Sequence, residues 1–230
     1  MLTLSPLEAE ALRLSLLVSV TAVAISLPFG IAVAWLLARL RFPGKTLLDG
    51  MVHLPLVLPP VAVGYLLLVT MGRHGPIGAW LFETFGITFA FNWKGAALAS
   101  AVISFPLLVR SVRLSIEQID RGIEAAAATL GAGPWAVFFT VTLPLSLPGI
   151  AAGIVLAFAR SLSEFGATIT FVASIPGQTR TLPVALYTVT QTAGGDDEAL
   201  RLCVLSVALA LLTLVLADWL ARRLDRRMKG

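Results

Sequence analysis

Five long apolar stretches, separated by short segments rich in charged residues, glycine or proline, constrain the fold of this chain of 230 residues most strongly. Hydrophobic residues make up 57% of the chain and charged residues only 13%, whereas soluble domains carry about 25% charged residues. About 20 apolar residues cross a bilayer as a helix. The composition therefore predicts an all-α polytopic membrane protein with about five transmembrane helices. The predicted spans are approximately residues 12–37, 47–71, 95–112, 145–162 and 202–220.

Basic residues are distributed unevenly over the segments between these spans. One side carries most of the 17 Lys and Arg residues, including Arg39, Arg110 and the cluster at 222–229. Cytoplasmic loops are the ones enriched in Lys and Arg. We therefore expect the N-terminus outside and the C-terminus in the cytoplasm. The net charge of +4 then reflects topology and does not indicate nucleic-acid binding.

Two apolar stretches contain helix-breaking residues. In the second span, Pro55, Pro59, Pro60 and Gly64 predict a kink or an interruption. The stretch 166–187 is broken by Pro176, Gly177 and Pro183, and irregular backbone at membrane depth is tolerated only when it is buried in protein or lines a cavity. We expect this stretch to be re-entrant or packed on the outer side.

A short segment between the third and fourth spans is too polar to cross the membrane. It reads Glu124-Ala-Ala-Ala-Ala-Thr-Leu-Gly131, and alanine and leucine favour a helix. Asp120 is suited to cap that helix, and Gly131 to end it. A second short helix, at about 135–142, should lead to Leu143-Pro144. Two interpretations stay open: a helix–turn that another protein binds, or an ordinary amphipathic loop at the membrane surface.

This pattern of a Glu-Ala-Ala run, a glycine and a later Leu-Pro resembles the cytoplasmic coupling loop of ABC importer permeases. Many members place the glutamate six residues before the glycine, whereas Glu124 lies seven before it. The resemblance implies a type I-like permease fold with a coupling helix, a coupling loop at about 117–144, and a separate ATPase subunit that binds this loop. The loop residues it implies are Glu124, Ala126, Ala127, Gly131, Leu143 and Pro144.

Arg160 and Glu164 place opposite charges at the end of the fourth span. Charges inside a membrane segment are costly and indicate a function by default. Residues four apart share a helix face, so the pair could neutralise itself and hold helices together. Alternatively, the region could line an anion path with transient hydrogen-bond donors. The residues considered for such a path are Arg160, Ser161, Ser163, Glu164, Thr168 and Thr170.

Wider motifs are similar to those of permeases for tetrahedral oxyanions, and of molybdate permeases in particular, over nearly the whole chain. They are Phe42-Pro-Gly-Lys45, His53-Leu-Pro-Leu-Val-Leu-Pro-Pro-Val-Ala-Val-Gly-Tyr65, Gly166-Ala-Thr-Ile-Thr-Phe171 and Ile175-Pro-Gly-Gln-Thr-Arg-Thr-Leu-Pro183. The resemblance implies one permease domain over 1–230 in the bacterial inner membrane, importing molybdate as a homodimer with an ATPase and a periplasmic molybdate-binding protein. Sulfate or tungstate import, and gradient-driven secondary anion transport, are the alternatives.

No catalytic or metal-binding pattern stands out in the sequence. Gly44-Lys45-Thr46 resembles the end of a phosphate-binding loop, but Arg39 occupies the position of its first glycine. Cys203 is the only cysteine, and His53 and His74 lack the spacing of metal ligands. We therefore expect a non-catalytic subunit that holds no cofactor or metal and whose ATP is bound by a partner chain. An intramembrane protease would need a Ser/His pair or two membrane aspartates.

Overall fold

The computed structural model describes residues 4–229, except for the side chains of residues 217, 218 and 220–229. Within this part of the chain the structure is helical and contains no strand, so the predicted all-α fold class is confirmed. The helices are α1 (Pro6–Arg39), α2 (Lys45–Val57), α3 (Pro60–Met71), α4 (Pro76–Phe85), α5 (Trp93–Glu117), α6 (Arg121–Thr129), α7 (Pro134–Val137), a π-helical turn (Phe138–Thr142), α8 (Leu143–Leu145), α9 (Leu147–Leu162), α10 (Gly166–Val172), α11 (Leu182–Thr190) and α12 (Asp196–Lys229).

The described residues offer three to five candidate membrane spans for the five that hydropathy predicts. In the described residues, α1, α5 and the 196–216 part of α12 are each long and apolar enough to cross a bilayer. Two bent helix pairs raise the number to five if each pair forms one span. The fifth predicted span lies in α12, and some of its side chains, with those of the basic cluster at 222–229, lie outside the described residues.

The first helix begins earlier than hydropathy predicts. Ser5 and Glu8 form a reciprocal capping box, in which the Ser5 hydroxyl accepts from Glu8 N–H and the Glu8 carboxylate accepts from Ser5 N–H. Glu8 is only 1% exposed, and its Oε1 lies 2.8 Å from Nε of Arg201 in α12. This pair neutralises a buried carboxylate and ties the start of α1 to α12.

The second predicted span is not one continuous helix. α2 and α3 meet at an angle of 113°, because Leu58 and Pro59 adopt extended backbone between them. Prolines 59 and 60 cannot donate the hydrogen bonds that would continue α2. Gly64, in contrast, does not interrupt α3. It allows close contact with α10, since a Cβ there would lie 2.6 Å from the Ala167 carbonyl oxygen.

Helix α5 packs against α1, α9 and α10 and organises the core. Asn92 caps its N-terminus by accepting hydrogen bonds from the N–H groups of Lys94 and Gly95 at 2.9 and 3.2 Å. Towards the other end, Arg113 pairs with Asp49 of α2 at 3.0 Å. Fully buried apolar residues of this core include Leu37, Ala97, Ile103, Leu108, Val112, Ala157 and Phe171.

The interrupted stretch after α9 folds as two short helices, α10 and α11, joined by residues 173–181. Ala167 and Phe171 of α10 are fully buried, and α10 packs against α3 and α5. Thr179 holds the connection: its hydroxyl donates to the Ala173 carbonyl and accepts from Ile175 N–H, both at 2.8 Å. Thr179 and Leu182 are buried, whereas residues 176–178 are exposed, so only part of the broken backbone is packed within protein. Its re-entrant or outer-side position stays a prediction. Helix α4, too short for a span, is not anticipated by the sequence analysis.

Candidate functional site

The first half of the predicted coupling loop is the helix that its sequence predicts. The Asp120 carboxylate accepts a hydrogen bond from Gly122 N–H at 2.8 Å and caps α6. The helix ends at Thr129, and Gly131 follows with φ +89°. In this left-handed region only glycine is unstrained, so Gly131 permits the sharp turn after α6.

The second half returns the chain to the membrane core. α7, the π-helical turn and α8 form one continuous arm over 134–145, which meets α9 at an angle of 66°. The predicted helix at about 135–142 is therefore confirmed, although part of it is π-helical. Trp35 of α1 stacks on Trp135 at 6.4 Å between ring centroids and contacts Phe138 edge-on at 5.6 Å. These aromatic contacts hold the arm against the end of α1.

Large apolar side chains are exposed along the coupling loop. Ile123 is 49% exposed, Leu130 90%, Trp135 71% and Phe139 59%. We call these four residues the loop face. Of the predicted loop residues, Ala126, Gly131 and Pro144 are exposed, and Ala127 and Leu143 are partly buried. Exposed apolar residues of this kind mark a surface that contacts another protein or the membrane.

Glu124 binds within its own chain. Nε of Arg39 lies 3.0 Å from Oε2 and 3.1 Å from Oε1 of Glu124, and Thr142 Oγ1 donates to Oε1 at 2.7 Å. The Glu124 side chain is 16% exposed. The sequence does not predict this pairing of Arg39 with Glu124. The sequence feature that could have indicated the pair is that Arg39 and the coupling loop are predicted to lie on the same side of the membrane.

Arg160 and Glu164 form the ion pair that their spacing allows. Nη1 of Arg160 lies 2.8 Å from Oε2 of Glu164, whose side chain is 1% exposed, whereas that of Arg160 is 29% exposed. Oε1 of Glu164 accepts from Ala167 N–H at 2.8 Å. Both carboxylate oxygens are therefore bound, and Glu164 connects α9 to α10.

The four hydroxyl groups near this pair differ in how they are bonded. Ser163 donates to the Arg160 carbonyl at 3.1 Å and Thr170 to the Gly166 carbonyl at 2.8 Å. Ser161 and Thr168 are buried, and their hydroxyls have no hydrogen-bond partner among the described residues. The structure thus brings the predicted path residues into one region, but in a single chain two of the hydroxyls are already bonded to backbone.

The histidines and acidic residues in the described part of the chain do not assemble a metal site. No group of three His, Cys, Asp or Glu side chains among the described residues could hold a metal ion. Nδ1 of His53 lies 3.2 Å from Oδ1 of Asp49 within α2, and Cys203 is exposed on α12.

The described residues thus combine helices able to cross a membrane with a capped loop helix that exposes apolar side chains. The chain belongs to the family described as binding-protein-dependent transport system inner membrane component, whose sequence model matches residues 26–230. It is accordingly a multi-pass membrane protein and a transport permease.

Curated relatives extend along nearly the whole chain. The molybdenum transport system permease protein ModB of Escherichia coli strain K12 is 65% identical over 215 residues, covering 94% of each chain. The sulfate transport system permease protein CysW of Synechococcus elongatus is 40% identical over 223 residues, covering 96% of this chain and 76% of the relative.

A solved structure has the same fold. It is the bacterial alginate ABC transporter in complex with an alginate pentasaccharide-bound periplasmic protein, with a TM-score of 0.74 at 18% identity, covering 95% of this chain and 80% of that chain. The predicted ABC importer permease fold is therefore confirmed.

Proposed function

We propose that this chain is the permease subunit of an ATP-driven importer of molybdate. The likeness to ModB over 94% of both chains supports this substrate. The described side chains contain no group whose chemistry selects molybdenum, and a sulfate permease is also similar over most of the chain. The assignment of molybdate therefore depends on how similar the sequence is to that of ModB. Sulfate and tungstate are the alternative substrates.

The exposure of the loop face supports the proposal that import is driven by ATP. Leu130 and Trp135 would each leave a large apolar surface in water if the cytoplasmic side carried no partner. Removal of apolar surface from water favours association with a partner. A separate ATPase subunit that covers this face would bind ATP itself, so the permease needs no nucleotide site, cofactor or catalytic residue.

A second copy of the chain would complete the passage. No residue of α2 is buried, and Leu47, Met51 and Val57 of this helix are 67%, 56% and 83% exposed. A groove of about 410 Å³ runs between α1, α2 and α5 and is lined by Phe29 and Met51 among others. We propose that these faces meet those of a second copy around a shared path, with lipid covering the remaining apolar surface.

The proposed cycle assigns different roles to the two sides of the membrane. A periplasmic binding protein delivers the oxyanion on the side of the N-terminus. Closure of the ATPase subunits on ATP draws the coupling loops of the two copies together and opens the outer side, and hydrolysis resets them. The partly exposed side chain of Arg160 supplies polar contacts to the passing anion. Such contacts have to be weak, because the substrate must also leave.

The test of this function is uptake of radiolabelled molybdate into proteoliposomes that contain the chain, its ATPase and its binding protein. We expect ATP-dependent uptake that a large excess of sulfate does not abolish. Uptake abolished by sulfate would move the substrate to sulfate and keep the permease assignment. Absence of ATP-dependent uptake of either anion would refute the proposal.

A further inference from the structure

Arg39 connects three parts of the chain at the cytoplasmic end predicted for α1. It is the last residue of this helix, and its side chain is 10% exposed. Its Nε binds both carboxylate oxygens of Glu124 in α6, at 3.0 and 3.1 Å. Its Nη2 donates to the carbonyl oxygen of Ile119, in the turn between α5 and α6, at 3.3 Å. One guanidinium therefore joins α1, the end of α5 and the coupling helix.

Glu124 extends this connection to the second arm of the loop. The hydroxyl of Thr142 donates to Oε1 of the same carboxylate at 2.7 Å. Thr142 is 1% exposed and is the last residue of the π-helical turn, from which the chain continues through α8 into α9. A displacement of either arm of the coupling loop thus acts on one carboxylate, and that carboxylate is bound to α1.

Other contacts hold α6 only weakly. None of its nine residues is buried, and the helix packs mainly against α7 and the π-helical turn. Hydrogen bonds between charged groups are roughly twice as strong as neutral ones, and partly buried pairs are screened less by salt than exposed ones. Movement of α6 must therefore stretch the bonds between Arg39 and Glu124 or carry α1 along.

We propose that Arg39 is a positioning residue that transmits displacement of the coupling loop to α1. The proposal rests on the proposed function, because it requires an ATPase that moves α6. Arg39 is nearly buried and is not part of the exposed loop face, so its effect passes through Glu124. Arg39 then controls the amount of substrate moved for each ATP hydrolysed, and it also contributes to stability.

The test compares Arg39→Gln with Arg41→Gln, a matched control at an exposed arginine two residues further along. Molybdate uptake and ATP hydrolysis are measured together in proteoliposomes with the ATPase and binding protein. We expect Arg39→Gln to lower uptake per ATP by about tenfold while the ATPase still copurifies, and Arg41→Gln to keep the wild-type ratio. An unchanged ratio for Arg39→Gln would overturn the proposal.

A charge exchange covers the case in which Arg39→Gln does not assemble. Arg39→Glu places two carboxylates together, and the double variant Arg39→Glu/Glu124→Arg restores opposite charges. Recovery of part of the lost uptake per ATP in the double variant would support the pair, whereas a double variant as uncoupled as Arg39→Glu would contradict it. If the wild-type complex itself shows no ATP-dependent uptake, the proposed function fails. By contrast, if the wild-type complex transports molybdate and Arg39→Gln moves the same amount of substrate per ATP, only the proposed role of Arg39 fails.

Discussion

Replacement of Gly64 by alanine tests the packing of α3 on α10. The new methyl carbon would lie 2.6 Å from the Ala167 carbonyl oxygen and 2.9 Å from both Ala167 Cα and Thr170 Cβ. Ordinary contact begins at 3.4 Å, so one helix has to move by about 0.8 Å, the difference between 3.4 and 2.6 Å, in a closely packed interior. The obstructing atoms are mostly backbone and cannot rotate away. The movement also disturbs the hydrogen bond from Ala167 N–H to Glu164, which is 2.8 Å long.

We expect Gly64→Ala to destabilise the protein by about 1–3 kcal/mol, the usual cost of overpacking a core. For a chain of this size the corresponding fall in melting temperature is about 2–12 °C. The measurement is thermal stability in detergent, followed by the loss of the monodisperse peak on size-exclusion chromatography after heating.

Gly50→Ala is the matched control for this measurement. Gly50 lies inside α2, and a Cβ there would meet nothing within 4 Å. Alanine favours a helix interior by roughly 0.5–1 kcal/mol over glycine, so Gly50→Ala should leave the melting temperature unchanged or raise it. Equal melting temperatures for Gly64→Ala and Gly50→Ala would refute the close approach of α3 and α10.

Three further predictions test the buried pair, the loop turn and the N-cap of α5. Arg160→Ala should lower the yield of folded protein more than Glu164→Gln. It leaves the Glu164 carboxylate, whose side chain is 1% exposed, without its counter-charge, at a cost of up to about 3–5 kcal/mol. Equal yields of the two variants would count against the pair. Gly131→Asp should reduce copurification of the ATPase, because it strains a turn at φ +89° and adds charge beside the loop face. Normal assembly and uptake of this variant would disprove the loop assignment. Asn92→Ala should lower stability by about 1 kcal/mol in the same thermal assay, since the N-cap of α5 is lost, and an unchanged melting temperature would show that water replaces the cap.

Local sequence signals predicted much of this structure. Hydropathy located the apolar spans, because every span must cover the same hydrocarbon thickness. The cap at Asp120 and the turn at Gly131 followed from side-chain chemistry within a few residues. The pairing of Arg160 with Glu164 followed from their spacing of four residues. In each case the interacting groups are close in sequence.

Contacts between distant residues were not predictable in the same way. The buried carboxylate of Glu8 in α1 is neutralised by Arg201, 193 residues away, which no local pattern indicates. Glu124 was assigned to a partner surface, although its counter-charge, Arg39, lies 85 residues before it. Prolines 59 and 60 predicted an interruption but not the angle of 113° between α2 and α3, which depends on how α3 packs against α10.

The central claim is that this chain moves its substrate only when a partner ATPase acts on the coupling loop. The most direct test is to measure which energy source drives transport. Molybdate uptake is measured in proteoliposomes containing the complete complex, with internal ATP and an ionophore that collapses ion gradients, and again with an ATPase variant that cannot hydrolyse ATP. If this claim holds, uptake survives the ionophore and disappears with the inactive ATPase. Uptake that survives the inactive ATPase and disappears with the ionophore would contradict it and indicate a gradient-driven transporter.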